Sequence, residues 1–313
     1  MIYTVNGAVS KKDFGNILVH EHIGCMSNDL LHIFGKNWLD KDKLADFTAD
    51  ILKSIGETYG VGLFVDGTPI DLGRDVALLK SVSDKSGIPI VASTGLYHYP
   101  SLYTSGHSET EIASWFISEW ENGMEGTGIK PGILKCATDA EITADNQKRL
   151  KAMAITQKET NLPIYVHSSH RGDIVENQLE ILFEEIKNPE KIIFGHTAQN
   201  AEYDYLAKIL EKGVYICMDQ CHCTRYSIPD IGKTLVKLCE NGYAGKILLS
   251  NDLCMYTDFG TRKNTGFHWT VHQQTENFGH IFRIVYESFF NSGGNADDWN
   301  KMFKENPLKV LDI

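Results

Sequence analysis

Short apolar runs alternate along the chain with longer segments whose apolar residues recur every three or four positions. The short runs are nearly continuous in apolar residues, which is typical of strands buried on both faces. They predict eight β-strands, at Asn16–His20, Val61–Gly67, Pro89–Gly95, Gly132–Cys136, Pro163–His167, Lys191–His196, Val214–Asp219 and Lys246–Asp252.

The longer segments have the periodicity of amphipathic helices. They predict helices at Lys41–Thr58, Arg74–Lys85, Glu109–Asn122, Ala144–Thr160, Ile174–Lys187, Glu202–Glu211 and Ile231–Glu240. Two further helical stretches, at about Asn277–Phe290 and Ala296–Phe303, come before a tail at Pro307–Ile313.

Eight strands, each followed by a helix, favour a closed parallel barrel over an open sheet. The opening segment Ile2–Ser10 has Asn6-Gly7 at its centre, which predicts a short hairpin at the bottom of the barrel. We see no linker and no internal repeat beyond the alternation of strand and helix. The expected fold is therefore a TIM (β/α)8 barrel of the α/β class, with residues 1–313 forming a single domain.

Composition narrows the classes of function. The chain carries 30 basic and 41 acidic residues, a formal charge of −11, which argues against binding to nucleic acid or to anionic membranes. No stretch approaches 18 uninterrupted apolar residues, and Met1–Asn6 lacks the pattern of a signal peptide. The seven scattered cysteines are typical of reduced thiols. We therefore expect a cytoplasmic protein.

Residues that can bind metal ions recur at the ends of the predicted strands. His20 and His22 are one residue apart on a strand, so both imidazoles face the same side and can bind one metal ion. Active sites of parallel barrels lie at the carboxyl ends of the strands. A lone histidine there is more often a hydrogen-bonded barrel residue, but the full set indicates a metal site: His20, His22, Lys135, His167, His196 and Asp252.

Five segments together resemble the ordered motifs of the phosphotriesterase-related family of the amidohydrolase superfamily. They are Leu18–His22, Gly132–Ala137, Ile164–His167, Phe194–His196 and Leu248–Asp252. The resemblance runs along nearly the whole chain. It implies two divalent metal ions, most commonly zinc, with manganese or cobalt as alternatives.

The resemblance also implies a role for each ligand. His20, His22 and Asp252 would hold the more buried metal ion, and His167 and His196 the more exposed one. Lys135 would bridge both as a carboxylated lysine. Burial depresses the pKa of a lysine and exposes a neutral amine that can add carbon dioxide. The alternative is an ordinary lysine, paired with a carboxylate or extended to solvent.

The expected reaction is hydrolysis by a hydroxide between the two metal ions, with Asp252 taking up its proton. The segment Ser93–Pro100 looks like that of the family's lactonase branch, in which a tyrosine at the position of Tyr97 reaches toward the metal ions. The other interpretation of Tyr97 is an aromatic side chain that packs under a loop. We expect a lactonase that opens a sugar 1,4-lactone. An organophosphate triesterase, an amidase and a non-catalytic metal-binding homologue remain alternatives.

Cations near the predicted mouth indicate a substrate with an anionic group, such as a phosphate. They are Arg171 after the fifth strand, Arg225 after the seventh, and Arg262 and Lys263 after the eighth. These side chains could equally be solvated or paired with Asp219, Asp230 or Asp258. The expected partner is a small-molecule lactone or ester, and the resemblance makes a homodimer possible. The sequence departs from the family after His196, where an aspartate commonly follows within a few residues.

Overall fold

Parallel strands dominate the computed structural model, which describes residues 1–10, 14–258, 264–265 and 270–313. The strands are β1 (Ile2–Thr4), β2 (Gly7–Val9), β3 (Asn16–Cys25), β4 (Val61–Asp66), β5 (Ile90–Gly95), β6 (Ile133–Ala137), β7 (Ile164–His167), β8 (Ile192–Phe194), β9 (Tyr215–Met218), β10 (Ile247–Leu249), β11 (Cys254–Thr257) and β12 (Asn264–Thr265). Strands β3 to β10 follow one another around a curved sheet, each parallel to the next. This order confirms the predicted TIM-barrel fold.

Helices connect the strands and cover the outside of the sheet. They are α1 (Asn28–Phe34), α2 (Lys41–Tyr59), α3 (Val76–Ser86), α4 (Leu102–Ser105), α5 (Glu109–Asn122), α6 (Ala144–Thr160), α7 (Ile174–Phe183), α8 (Tyr203–Leu210), α9 (Ile228–Glu240), α10 (Val271–Phe278), α11 (Tyr286–Asn291), α12 (Ala296–Asn300) and α13 (Asn306–Leu311). One continuous helix was predicted at Asn277–Phe290. The structure instead has α10, a π-helical turn at Ile281–Val285 and α11. No described helix is both long and apolar enough to cross a membrane.

The eighth barrel strand is split into β10 and β11. Strand β10 pairs with β9, whereas β11 pairs with β3 and so joins the last strand to the first. Backbone hydrogen bonds from His22 N to Leu253 O (2.8 Å) and from Asp252 N to His20 O (3.1 Å) complete this junction. The sequence predicted one unbroken strand up to Asp252, which is wrong, because Asp252 has a φ of +59° that a β-strand does not allow.

Strand β3 is longer than predicted and contains a β-bulge. It continues past His20 to Cys25, because its second half pairs with β11. Between Leu18 and Glu21, β3 has one residue more than the facing segment of β4. With strict alternation, His20 would share the outward face of Leu18, which packs in the outer core. The bulge turns His20 and His22 toward the cavity at the barrel mouth.

Two apolar cores hold the barrel together. The larger lies between the strands and the surrounding helices, and the smaller fills the barrel interior. The interior core is closed at the bottom by Ile2, Val310 and Leu311. Strands β1 and β2 pair in an antiparallel hairpin, and Val5 N donates to Ile90 O (2.8 Å) at the start of β5. The predicted hairpin at the bottom of the barrel is therefore confirmed.

A close backbone approach at Gly62 gives a test of this packing. A Cβ atom added there would lie 1.7 Å from the carbonyl oxygen of Phe14, which no side-chain rotation can relieve. We expect Gly62→Ala to destabilise the barrel by about 2–3 kcal/mol and to lower the thermal midpoint by about 3–5 °C. The control is Gly245→Ala, whose Cβ would meet nothing within 4 Å. Equal midpoints for the two variants in a thermal melt would contradict the prediction.

Candidate metal centre

Asp219, directly after β9, holds two of the predicted metal ligands. Its Oδ2 lies 2.8 Å from His20 Nδ1, and its Oδ1 lies 3.0 Å from His196 Nδ1 and accepts a hydrogen bond from His196 N (2.7 Å). The Tyr165 hydroxyl also donates to Oδ2. Because an ionised carboxylate only accepts hydrogen bonds, both imidazoles carry a proton on Nδ1, which makes Nε2 the nitrogen that can bind a metal ion.

Burial and the neighbouring charges shift the pKa values of His20 and Asp219. Burial and the neighbouring Lys135 lower the pKa of His20 to about 3, so its imidazole is neutral at physiological pH. Burial alone would raise the pKa of Asp219, but its contacts with His196 and His20 outweigh burial and lower it. Gly67 leaves room for the His20 ring, since a Cβ there would lie 2.7 Å from His20 Cδ2.

His22 is oriented through a hydroxyl instead of a carboxylate. Its Nδ1 lies 2.9 Å from Thr68 Oγ1. Asp66 fixes this corner, since its carboxylate accepts hydrogen bonds from Thr68 N (3.0 Å) and Ile23 N (2.7 Å). The Nε2 atom of His22 is then free to face Asp252 Oδ1, which lies 3.1 Å away.

Lys135 is buried among the histidines. It is 1% exposed, and its Nζ lies 2.7 Å from His20 Nε2 and 4.4 Å from the centre of the Tyr165 ring. Burial lowers the pKa of Lys135, although Asp252 and Asp219 favour its charged form. Among the described residues no carboxylate lies within ion-pair distance of its Nζ. An ordinary solvent-exposed or salt-bridged lysine is therefore not what the structure contains.

His167, His196 and Tyr97 lie together on the opposite side of the centre. His167 Nδ1 is 2.6 Å from His196 Nε2, and burial together with His196 places the pKa of His167 well below its usual value. The Tyr97 hydroxyl is 3.4 Å from both ring nitrogens of His167. The structure thus brings the predicted tyrosine to the predicted site. Burial raises the pKa of Tyr97, so its hydroxyl keeps its proton.

Three residues that lie two or three positions after the ends of consecutive strands have left-handed backbone conformations. They are His196, Gln220 and Asp252, with φ values of +61°, +58° and +59°. Each costs roughly 1 kcal/mol or more relative to an ordinary conformation, and such strain is concentrated at functional sites. Gln220 Nε2 donates to Asp252 Oδ2 (2.7 Å), while Gln199 Nε2 donates to Gln220 Oε1 (2.8 Å). This amide pair fixes Oδ1 of Asp252 toward His20 and His22, while Oδ2 lies 3.5 Å from His196 Nδ1.

Glu21 fixes the junction that carries Asp252. Its buried carboxylate accepts hydrogen bonds from Ser250 Oγ (2.8 Å), Asn251 N (2.7 Å) and Leu253 N (2.8 Å). Burial raises the pKa of Glu21 to about 8 despite these donors. Glu21 thus braces the backbone around Asp252 and does not face the cavity.

Two cavities open onto the centre. One of about 260 Å³ is lined by the six predicted metal ligands together with Cys25, Leu72, Tyr97, Tyr99, Gln220, Cys254 and Thr257. A second, of about 510 Å³, shares His167, His196 and Gln220 with the first. Arg171 and Arg225 both line this second cavity. Two of the predicted substrate-binding cations therefore lie on the same side of the metal centre.

The carboxylates that could have neutralised these arginines have other partners. Asp219 binds histidines, and Asp258 accepts hydrogen bonds from Ser27 N (2.8 Å) and Trp38 Nε1 (2.6 Å). In the part of the chain that the structure describes, neither Arg171 nor Arg225 forms an ion pair with a carboxylate, and Arg225 donates to the Tyr226 hydroxyl (3.1 Å). The predicted Arg262 and Lys263 lie outside the described residues.

The donor atoms fit metal ions. One atom each from His20, His22 and Asp252 lies within 4.8 Å of the others, and so does one each from His20, His196 and Asp219. The four hydrogen bonds to Asp219 favour an orienting role over a ligand role for this carboxylate. Imidazole nitrogens and carboxylate oxygens are donors that suit zinc.

The sequence indicated Asp219 only as a possible partner of the cations near the barrel mouth. A signal was present, because Asp219 ends the predicted strand Val214–Asp219 just as the metal-ligand candidates end theirs. Thr68, Gln220 and Glu21 had no such signal, since their roles depend on contacts between distant segments.

Comparison with known proteins agrees with this geometry. The profile of the phosphotriesterase family matches residues 1–311. The aryldialkylphosphatase of Saccharolobus solfataricus is 32% identical, and the match covers 97% of each chain. A phosphotriesterase homology protein of Mycobacterium tuberculosis is 28% identical, covering 99% of this chain and 97% of the relative. The N-acetyltaurine hydrolase of Xenopus tropicalis is 22% identical over the same shares. The chain therefore belongs to the phosphotriesterase family and is a hydrolase.

Proposed function

We propose that the protein is a binuclear metal-dependent lactonase that opens a sugar 1,4-lactone, with a phosphorylated lactone as the preferred substrate. The observation that carries the proposal is the position of the Tyr97 hydroxyl. It lies on the same cavity as His20, His22 and Asp252, next to His167. A hydrogen-bond donor at this position can bind an oxygen of a lactone while its carbonyl carbon is attacked.

We assign His20, His22 and Asp252 to one metal ion, and His167 and His196 to the other, with a carboxylated Lys135 between them. Zinc is the first choice, and manganese or cobalt would also suit the donors. Bound divalent ions would lower the pKa of a water molecule and polarise the ester carbonyl. The lowered pKa of Lys135 supports its carboxylation, because only the neutral amine adds carbon dioxide.

Asp252 can then move the proton of the reaction. Its Oδ1 faces the Nε2 atoms of His22 (3.1 Å) and His20 (3.6 Å), and its Oδ2 accepts from Gln220. Oδ2 keeps a free lone pair that can accept a proton from the attacking water and pass it to the ring oxygen as the carbon–oxygen bond breaks. The product is an open-chain hydroxy acid.

The second cavity supports an anionic group on the substrate. Arg171 and Arg225 supply two guanidinium groups without carboxylate partners among the described residues. Guanidinium groups bind phosphate in bidentate geometry. A substrate with its ring at the metal centre and a phosphate at the far end would occupy both cavities. The net charge of −11 disfavours a polyanionic partner, so we assign the anionic group to a small-molecule substrate.

The decisive experiment is a hydrolysis panel. The protein is reconstituted with zinc or manganese in the presence of bicarbonate, and proton release is followed with a pH indicator. The panel contains 1,4-lactones with and without a terminal phosphate, together with organophosphate triesters and N-acyl amides. We expect metal-dependent turnover of a phosphorylated lactone and none by the Lys135→Ala, Asp252→Asn double variant. Turnover of only the triesters or only the amides would replace the lactonase proposal with that activity. No turnover with two metal ions bound would favour a non-catalytic homologue.

A second prediction concerns Lys135. If its carboxylated form bridges the metal ions, Lys135→Ala will retain at most one metal ion per chain after dialysis, whereas the unaltered protein retains two. Loading of the unaltered protein will also be slower in buffer freed of bicarbonate. Metal content by mass spectrometry measures both effects, with the exposed Lys187→Ala as a control. Two metal ions in Lys135→Ala would refute the bridging role.

A third prediction concerns the arginines. Arg225→Met and Arg171→Met should each raise the KM of a phosphorylated lactone about 10- to 100-fold, because each removes a charge-assisted hydrogen bond. The KM of the corresponding neutral lactone should change less than about threefold. Arg283→Met serves as the control, because Arg283 is already paired with Glu276 (2.6 Å). Equal effects on both lactones would argue against an anion site.

A further inference from the structure

The loop that carries Tyr97 has no regular secondary structure of its own. Tyr97 lies between the end of β5 at Gly95 and the start of α4 at Leu102. Its side chain is half-buried, Leu96 before it packs against the outer core, and Tyr99 after it is exposed, so apolar packing covers only the start of the loop. A tyrosine that must place its hydroxyl 3.4 Å from His167 needs another restraint.

Two charged side chains of opposite sign supply that restraint by binding the backbone of Tyr97. Its amide donates to Asp71 Oδ1 (2.8 Å), and its carbonyl oxygen accepts from Arg149 Nη1 (2.6 Å). Asp71 belongs to the loop after β4, whereas Arg149 lies on α6. The Tyr97 backbone is therefore held from two neighbouring βα units at once.

Burial and polar contacts hold the Arg149 side chain in one position. It is 2% exposed, its Nη2 lies 2.6 Å from Asp145 Oδ2, and the same nitrogen donates to Thr104 Oγ1 (3.1 Å) on α4. On the same helix, Lys148 Nζ donates to Thr104 O and Ser105 O (3.1 Å each). The first turns of α6 thus bind the loop at Tyr97 and His98 and bind α4 at Thr104 and Ser105, and among these contacts Arg149 makes the one to Tyr97.

The buried charges of Arg149 and Asp71 are not explained by a gain in stability. Arg149 Nε and Asp71 Oδ2 are buried and form no hydrogen bond with any described residue, and Asp71 Oδ2 is still 4.0 Å from Arg149 Nη1. Burial raises the pKa of Asp71. Buried charges with incomplete hydrogen bonding weaken a fold, whereas apolar residues of similar volume would pack without that cost. This cost is understandable if the charges serve to position a side chain.

We propose that Arg149 and Asp71 are positioning residues that hold the Tyr97 hydroxyl in place over the metal centre. The inference rests on the proposed function, in which that hydroxyl contacts the lactone. Neither residue lines the cavity of the metal ligands, so both act through Tyr97 and not on the substrate. Because a displacement of about 1 Å can lower a rate about 100-fold, release of the backbone should weaken turnover more than substrate binding.

The test compares Arg149→Met, Tyr97→Phe and the double variant on the best lactone of the panel. We expect Tyr97→Phe and Arg149→Met each to lower kcat about 100-fold, with KM changed less than about threefold. The kcat of the double variant should be at most about threefold lower than that of Tyr97→Phe, because both changes remove the same contact. Lys148→Met is the matched control, since Lys148 lies on the same helix and binds α4, directly after the loop, without touching Tyr97. Its kcat should change less than about twofold.

Hydrogen exchange tests the same proposal without relying on activity. A peptide that covers Leu96–Pro100 should exchange faster in Arg149→Met and Asp71→Ala than in Lys148→Met, with metal content unchanged. Arg149→Lys keeps a donor and should fall between Arg149→Met and the unaltered protein, which also guards against misfolding of the methionine variant. Additive losses in the double variant, or unchanged exchange, would overturn the positioning role. A third result is also possible: the peptide exchanges faster in Arg149→Met and Asp71→Ala, but Tyr97→Phe is fully active. That result would overturn the catalytic role of the Tyr97 hydroxyl and uphold the role of Arg149 and Asp71 in holding the Tyr97 backbone.

Discussion

The buried carboxylate of Asp219 is the contact on which the geometry of the metal centre depends. It follows β9 and accepts hydrogen bonds from His20 on β3, Tyr165 on β7 and His196 after β8. One anion after β9 thereby fixes the positions of groups from three other strands relative to one another. Its donors compensate for its removal from water, and its inability to donate determines where both imidazoles carry their protons. The directions of the metal-facing nitrogens follow from that single constraint.

The carboxylates around the candidate metal centre each have their own hydrogen-bond donors. Asp219 is bound by imidazoles and a phenol, whereas Asp252 is bound by the neutral amide of Gln220. His22 rests on the hydroxyl of Thr68. In the proposed enzyme, Asp219, Asp252 and a carboxylated Lys135 balance most of the charge of two divalent ions. The positive charge that remains favours a substrate with a polarised carbonyl or an anionic group.

The barrel and the metal-ligand candidates could be predicted because each depends on local pattern. Apolar runs locate strands, and parallel strands of a barrel place their carboxyl ends together, so His20, His167 and Asp252 could be expected to meet. The bulge between Leu18 and Glu21 could not be predicted, because it exists only in the register of β3 against β4. The interruption before Asp252 likewise results from two different pairing partners, β9 and β3. Local propensity does not determine the register of a strand or its pairing partner.

The junction between β3 and the split eighth strand determines when, during folding, the candidate metal ligands come together. Glu21 meets Ser250 and Leu253 across separations of 229 and 232 residues, and His22 meets Asp252 across the same junction. Contacts so distant along the chain form late, because a very long loop must close first. During synthesis, the trio of His20, His22 and Asp252 is incomplete until about four fifths of the polypeptide has been made. Closing the barrel and bringing these three side chains together are thus a single late event.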